Sequence, residues 1–308
     1  MSTPAPAAGT LAGLSNDLAE AVARVSRSVV AIHGRRRIPS SGVVWGPGVV
    51  VTANHTLTRD EDISLTLPDG GTGVANLAGR DPTTDIAVLR TDSSLPPVER
   101  APDASLQVGR LVLAIGRPGP EVTASLGIVS AVGGEWRTWQ GGRVDRFVRL
   151  DLSIYDGFSG GPLVEAGGRV LGINTSGLTR AIAVTLPVAT VDRVAGELVQ
   201  KGHVSRGYLG LAVQPVRLPE PMRQELGLAG RMGLVIINLE AGGPADRAGL
   251  LLGDIITGLE GEDVSDPSDI LTFLGPERVG KEAKLRIVRA GKPKSVAITV
   301  GERPRKGH

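Results

Sequence analysis

Gly157-Phe158-Ser159-Gly160-Gly161-Pro162-Leu163 sets one hydroxyl inside a glycine-dense turn that runs toward the apolar stretch Val170 to Ile173. A serine that attacks a carbonyl needs backbone N–H groups turned toward the oxyanion that develops, and glycine adopts the required turn at least steric cost. Gly157 and Ser159 are the two positions whose N–H groups can converge there. A plain hairpin turn has the same composition, so the partners of Ser159 decide between the two readings.

A serine nucleophile needs a base, and the chain offers four histidines: His33, His55, His203 and His308. His308 is terminal, His203 follows a helix, and His33 ends the first strand. His55 follows Val49-Val-Val-Thr-Ala-Asn54, where a buried strand gives way to a loop and a rigid scaffold can present an imidazole. A third group must hold the imidazole. Asp85 stands directly before the apolar strand Ile86 to Leu89, where a carboxylate is costly unless it is hydrogen-bonded. Its rival Asp81 precedes Pro82 and reads as the start of a turn. The chain order His55, Asp85, Ser159 is that of the chymotrypsin-type double β-barrel, and differs from the orders of subtilisin and the α/β-hydrolases.

Composition agrees with a β architecture. The 308 residues include 43 glycines, about twice the usual roughly 7%, and 21 prolines. Apolar runs from Val29 onward are short and broken by glycine, as in a sandwich or barrel. The net charge of +2 and the scarcity of aromatic residues give no nucleic-acid footprint. With no cysteine and no histidines paired at ligand spacing, neither a metal nor another cofactor is expected. No stretch is long and apolar enough to span a membrane. The spacing of Leu18, Val22 and Val25 predicts a helix over 17–26, and residues 1–15 read as a flexible segment. A second helix carrying Val191, Val194 and Leu198 ends at Gly202, a natural boundary. The domains expected are therefore 16–201 and 202–304, a mainly β double barrel followed by a small α+β domain.

These segments resemble the HtrA or Deg-type serine proteases, a trypsin-like domain followed by a PDZ domain. The resemblance is carried by Val51-Thr-Ala-Asn-His55, Asp81-Pro-Thr-Thr-Asp-Ile-Ala-Val-Leu89, Gly127-Ile-Val-Ser-Ala131, Gly157 to Val164 and Gly172-Ile-Asn-Thr175. It implies ATP-independent proteolysis of unfolded or damaged proteins, with His55 as base, Asp85 as its orienter, Ser159 as nucleophile, and Gly157 with Ser159 as oxyanion donors. Ser153, Ile154, Ile182, Ala183 and Val184 are expected to line a substrate pocket suited to small or medium aliphatic residues, with Asp156 the one charge that could alter it. The chain departs from the family in having Tyr155-Asp156-Gly157-Phe158 before the serine, where Asn-Pro-Gly-Asn is usual. That departure motivates the alternative of a catalytically silent, peptide-binding or holdase protein on the same scaffold. Phe158 also replaces the acid through which zymogens of the chymotrypsin type activate, so activation by N-terminal cleavage is not expected.

The second domain resembles a PDZ module. Arg206-Gly-Tyr-Leu-Gly-Leu211 corresponds to its carboxylate-binding loop and Gly243-Pro-Ala-Asp-Arg-Ala-Gly-Leu250 to a further family run. Tyr208, Leu209, Gly210 and Leu211 are expected to receive a C-terminal peptide as an added strand, with Ile270, Phe273 and Leu274 walling the pocket for an apolar last side chain. Family members usually trimerise through aromatic residues near the N-terminus. Here no aromatic residue precedes Trp45, and Leu11, Leu14 and Leu18 predict at most a weak homotrimer. The first residues contain neither a basic nor an apolar leader region, which predicts a cytoplasmic protein; the family's usual periplasm or cell envelope is the alternative.

Overall fold

The computed structural model describes residues 9–179, 184–227 and 230–303. Two compact units divide the chain, one ending at Val204 and the other beginning at Ser205.

The first unit is built from two closed six-stranded antiparallel barrels. The first barrel comprises β1 (Val29–His33), β2 (Ser40–Gly46), β3 (Val49–Ala53), β4 (Ile63–Thr66), β5 (Thr72–Asp81) and β6 (Ile86–Arg90), in the spatial order β1-β2-β3-β6-β5-β4. The second comprises β7 (Leu111–Gly116), β8 (Thr123–Val132), β11 (Val148–Asp151), β12 (Pro162–Glu165), β13 (Val170–Thr175) and β14 (Val184–Pro187). A hairpin, β9 (Trp136–Arg137) and β10 (Arg143–Val144), stands between β8 and β11. Closure removes the unpaired edges that short strands would otherwise expose. One aliphatic cluster, with Ile32, Val50, Leu65 and Leu89, fills the first barrel, and a second, with Val112, Val129, Leu163 and Leu171, belongs to the other. A third cluster joins Val51 and Ile86 to Ile115, Ile173 and Leu186, locking the barrels together.

Two helices complete this unit. The first, α1 (Thr10–Ser26), starts well before Asp17, because Leu11 and Leu14 continue the heptad-like spacing toward Leu18; residues 10–15 are thus helical rather than part of a flexible arm. Its Ala21 and Val25 are buried, whereas Leu11 is 81% exposed. The second, α2 (Val188–Lys201), ends on Gly202 in the left-handed conformation (φ 75°), whose N–H closes on the Leu198 carbonyl. The Trp45 indole N–H donates to Asp192 of α2 across 2.7 Å, so the helix is tied to the first barrel as well.

The second unit has a six-stranded sheet of β16 (Leu211–Arg217), β17 (Met232–Leu239), β18 (Ile255–Leu259), β19 (Glu262–Asp263), β20 (Glu282–Arg289) and β21 (Lys292–Thr299). A small pair, β15 (Gly207–Tyr208) with β22 (Gly301–Glu302), adjoins it. Its helices are α3 (Glu220–Leu226), α4 (Pro244–Arg247) and α5 (Pro267–Phe273). Asp266 caps α5 through a reciprocal capping box with Asp269, and Pro267 occupies its first turn.

Candidate active site

His55 lies in a 3-10 turn (Asn54–Thr56) at the end of β3, and Asp85 lies immediately before β6, the neighbour of β3 in the sheet. Pairing of Ala53 with Ile86 therefore brings the two residues together. Both contacts measure 2.7 Å: the His55 backbone N–H donates to Asp85 Oδ1, and His55 Nδ1 meets Asp85 Oδ2. A third donor is the hydroxyl of Thr175, which closes on Asp85 Oδ2. A carboxylate only accepts, so the Asp85 carboxylate places the imidazole proton on Nδ1 and leaves a lone pair on Nε2. The Asp85 side chain is 4% exposed and that of His55 33%, so the carboxylate is shielded while the imidazole still reaches solvent.

Asp85 adopts φ 58°, an uncommon left-handed conformation for a residue with a Cβ. The preceding turn supports it. Asp81 is buried and its carboxylate accepts from the hydroxyls of Thr83 (2.8 Å) and Thr84 (2.7 Å). The two acids thus have different partners, Asp81 shaping the turn and Asp85 facing the imidazole.

Ser159 is 6% exposed, in the tight turn between β11 and β12. Gly157 and Gly160 both have φ 87°, where a side chain would be strained. A Cβ at Gly157 would also approach Pro118 Cβ at 2.7 Å and the Pro39 carbonyl at 2.8 Å. Phe158, between them, is fully buried and packs edge-on against Tyr155 at 5.4 Å between ring centroids. Ser41 of β2 grips both sides of this turn: its hydroxyl donates to the Gly157 carbonyl (2.6 Å) and its N–H to the Ser159 carbonyl (3.2 Å). Among the described residues, neither the N–H of Gly157 nor that of Ser159 donates to a protein acceptor. Donors that no protein group satisfies are available to an acceptor from outside the chain.

Ser159 Oγ lies 3.1 Å from Ser176 Oγ and 3.4 Å from the Ser176 nitrogen. Among the described residues no hydrogen bond joins it to His55; hydrogen bonds of this kind are often loose before substrate arrives. Gly177 completes the cluster, since a Cβ there would stand 2.5 Å from His55 Nδ1 and 2.7 Å from Asp85 Oδ2. Thr175, Ser176, Gly177 and Ser41 were not singled out from the sequence. Gly177 alone carried a local signal, as a glycine just past the end of an apolar strand.

Of the expected pocket residues, Ser153 is exposed, Ile154 half-buried, and Val184 fully buried in the cluster between the barrels. Ile182 and Ala183 lie outside the described residues. In the second unit, a groove of about 330 Å³ is lined by Tyr208, Leu209, Gly210, Leu211, Ile270 and Leu274, among others. Phe273 does not line it. Its ring packs against the core of that unit under the Arg278 guanidinium, and Leu271, two residues earlier on α5, faces the groove instead.

A trypsin-like double barrel carrying an Asp-His pair beside a buried serine, followed by a PDZ unit, defines the class. Residues 40–173 match the trypsin-like peptidase domain family and residues 207–300 the PDZ domain family. A solved HtrA-type protease, AlgW with a tripeptide, is 32% identical, with 93% of this chain and 97% of that one covered and a TM-score of 0.69. The serine endoprotease from Yersinia pestis is 29% identical with a TM-score of 0.72, covering 93% of this chain and 98% of that one. A probable periplasmic serine endoprotease, DegP-like, from Brucella suis biovar 1 (strain 1330), is 36% identical over 282 residues, 88% of this chain and 54% of the relative. The chain belongs to the HtrA-type serine proteases. It spans about half the length of the curated relatives it matches.

One expectation is corrected. The first residues suggested a cytoplasmic protein, but the curated relatives are named periplasmic endoproteases. An export leader is a removable address, so the residues that build the fold carry no trace of it.

Proposed function

We propose that this protein is a serine endopeptidase of the periplasm that degrades unfolded proteins without ATP. Ser159 attacks the substrate carbonyl, His55 Nε2 takes the serine proton and delivers it to the leaving amine, and Asp85 holds the imidazole and stabilises its cation. The N–H groups of Gly157 and Ser159 receive the oxyanion. The observation that carries this reading is the pair of 2.7 Å contacts between His55 and Asp85, which fixes the imidazole so that Nε2 is free to act as base. Proton transfer requires the Ser159 hydroxyl to direct its proton at His55 Nε2. Ser153 and Ile154, with no charge of their own, favour cleavage after small or medium aliphatic residues, and the PDZ groove takes apolar C-termini. The relatives, named endoproteases, give no support to a silent scaffold.

Covalent labelling by a fluorophosphonate, with hydrolysis of casein, tests the assignment. Labelling should map to Ser159, and Ser159→Ala or His55→Ala should reduce hydrolysis by a factor of about 10⁴ or more with the fold intact. An unlabelled serine in folded protein, or hydrolysis retained in clean Ser159→Ala, would refute it.

A further inference from the structure

At the far end of β16, in the second unit, a cleft of about 460 Å³ is lined by Arg217, Leu218, Pro219, Glu220, Arg223 and Arg231. Half of these side chains are guanidinium groups. The backbone fixes where each of them starts. Antiparallel pairing of β16 with β17 sets Arg217 opposite Met232, and the Leu218 N–H donates to the Arg231 carbonyl (2.9 Å), so Arg217 and Arg231 stand on adjacent segments. Leu218 is 3% exposed and anchors this corner in the unit. Arg223 comes from α3, where its N–H donates to the Pro219 carbonyl (3.1 Å). The groove for C-terminal peptides begins at the other end of β16 and shares no lining residue with the cleft. Leu211 and Arg217 are six residues apart on the strand, a separation of about 20 Å.

The charges in the cleft do not balance. Glu220 pairs with Arg223, whose hydrogen bond holds the Glu220 carboxyl below its usual range. Arg217 and Arg231 have no such partner: among the described residues, no ion pair or side-chain hydrogen bond reaches either guanidinium. Asp263, whose carboxylate lies beside Gly230, is taken by Arg286. On β20, by contrast, Arg286 and Arg289 each hold an aspartate, Asp263 and Asp254. Like charges gathered on a concave wall repel one another and focus a positive potential, which an anion relieves. A guanidinium offers a planar fork of N–H donors that matches two oxygens of a phosphate or a carboxylate at once. The volume falls within the range of sites for small organic molecules, about 300 to 1,000 Å³. Leu218 and Pro219 supply an apolar wall for a carbon body.

We propose that this cleft binds a small organic dianion, a phosphate monoester or a dicarboxylate, with Arg217 and Arg231 as its principal donors and Arg223, oriented by Glu220, as a third. The two head groups share one chemistry, paired oxygens that carry negative charge. The site requires neither Ser159 nor the carboxylate-binding loop of the PDZ groove.

Calorimetric titration of the full chain at neutral pH and low salt tests this, with glycerol 3-phosphate and succinate as separate probes and glycerol as the uncharged control. At least one dianion should bind at one site per chain, glycerol should not bind, and the tighter dianion identifies the head group. Replacing Arg217 and Arg231 together by alanine should weaken that binding by at least about tenfold. Arg217→Lys, which keeps the charge and loses the fork, should weaken it less. Arg36→Ala, at an exposed arginine in the loop between β1 and β2, should leave it unchanged, and thermal melts check that each variant is folded. Saturating the protein with an apolar-ended peptide should not displace the dianion. Four results would each overturn the proposal: no heat from either probe, wild-type affinity in the folded double variant, an equal loss in Arg36→Ala, or displacement by the peptide, which would place the anion in the carboxylate-binding loop.

Discussion

The Ser41 hydroxyl, on the first barrel, donates to the carbonyl of Gly157, on the second, across 2.6 Å. The same oxygen accepts the Arg117 backbone N–H at 2.8 Å, and both residues are buried. Ser41→Ala would leave a buried carbonyl and a buried N–H without partners, each costing about 1–3 kcal/mol. The Gly157–Ser159 turn should lose its fixed orientation, lowering kcat by about 10²-fold, comparable to loss of one oxyanion donor. Steady-state kinetics with a circular dichroism melt check this: kcat should fall while KM changes little. An unchanged kcat would show that the remaining backbone hydrogen bonds and Phe158 packing hold the turn without this hydroxyl.

Gly177→Ala tests the packing of the Asp-His pair. Its new methyl would stand 2.5 Å from His55 Nδ1, inside any real Cβ contact, so the imidazole must shift. A displacement of about 1 Å can cost about 10²-fold in rate. Fluorophosphonate labelling should slow by about that factor, whereas Gly196→Ala, on a helix with open space at its Cβ, should label at the wild-type rate.

The PDZ groove should discriminate between termini. Gly210 adopts φ 73° and its carbonyl accepts the Glu240 N–H (2.9 Å), while the Leu209 carbonyl accepts from Ala245 (2.8 Å). These contacts hold the loop whose own N–H groups would cradle a carboxylate. Amidating an apolar-ended peptide should weaken binding by at least about tenfold, since unpaired donors should cost more than about 1.4 kcal/mol. Calorimetric titration of both peptides decides it, and equal affinities would exclude this docking mode.

The Asp254–Arg289 pair should make the second unit sensitive to acid. Burial by itself raises the Asp254 pKa, but hydrogen bonds from Arg289 (2.7 Å) and from the Leu251 N–H (2.9 Å) outweigh it, and the carboxyl is held below its usual range. The stabilisation is therefore fully present above the ordinary carboxylate pKa and is lost as pH falls through the lower folded value. Hydrogen exchange of β18 in the full chain should show opening that rises steeply at acid pH. In Asp254→Asn the neutral-pH protection should be lower and the pH dependence flatter; an identical profile would show that the pair contributes nothing.

Assembly should depend on concentration. Leu11 is 81% and Leu14 38% exposed on α1, with Leu18 half-buried beside them, and burying three leucines at about 2 kcal/mol each roughly matches the entropic cost of association. Light scattering across a hundredfold dilution should show a trimer giving way to monomer. A constant trimer mass after Leu11 and Leu14 are replaced by serine would locate the interface elsewhere.

Local physics made much of this protein legible in the sequence. The glycines around Ser159 mark left-handed turn positions, Gly202 and Asp266 mark helix ends, and short apolar runs mark barrel strands, because each depends on the backbone preferences of a few adjacent residues. His55 and Asp85 could be singled out as polar residues at the ends of buried strands. What only the tertiary structure decided is which groups meet. Thr175 on Asp85, Ser176 on Ser159, Gly177 against His55, Ser41 on Gly157 and Thr138 on Thr83 are all pairings between residues far apart in the chain. The lining of the PDZ groove is of the same kind, with Leu271 of α5 on it and Phe273 packed against the core. A hydroxyl or a glycine is compatible with many surroundings, so its partner is set by barrel closure and strand register, which sum weak preferences over the whole chain.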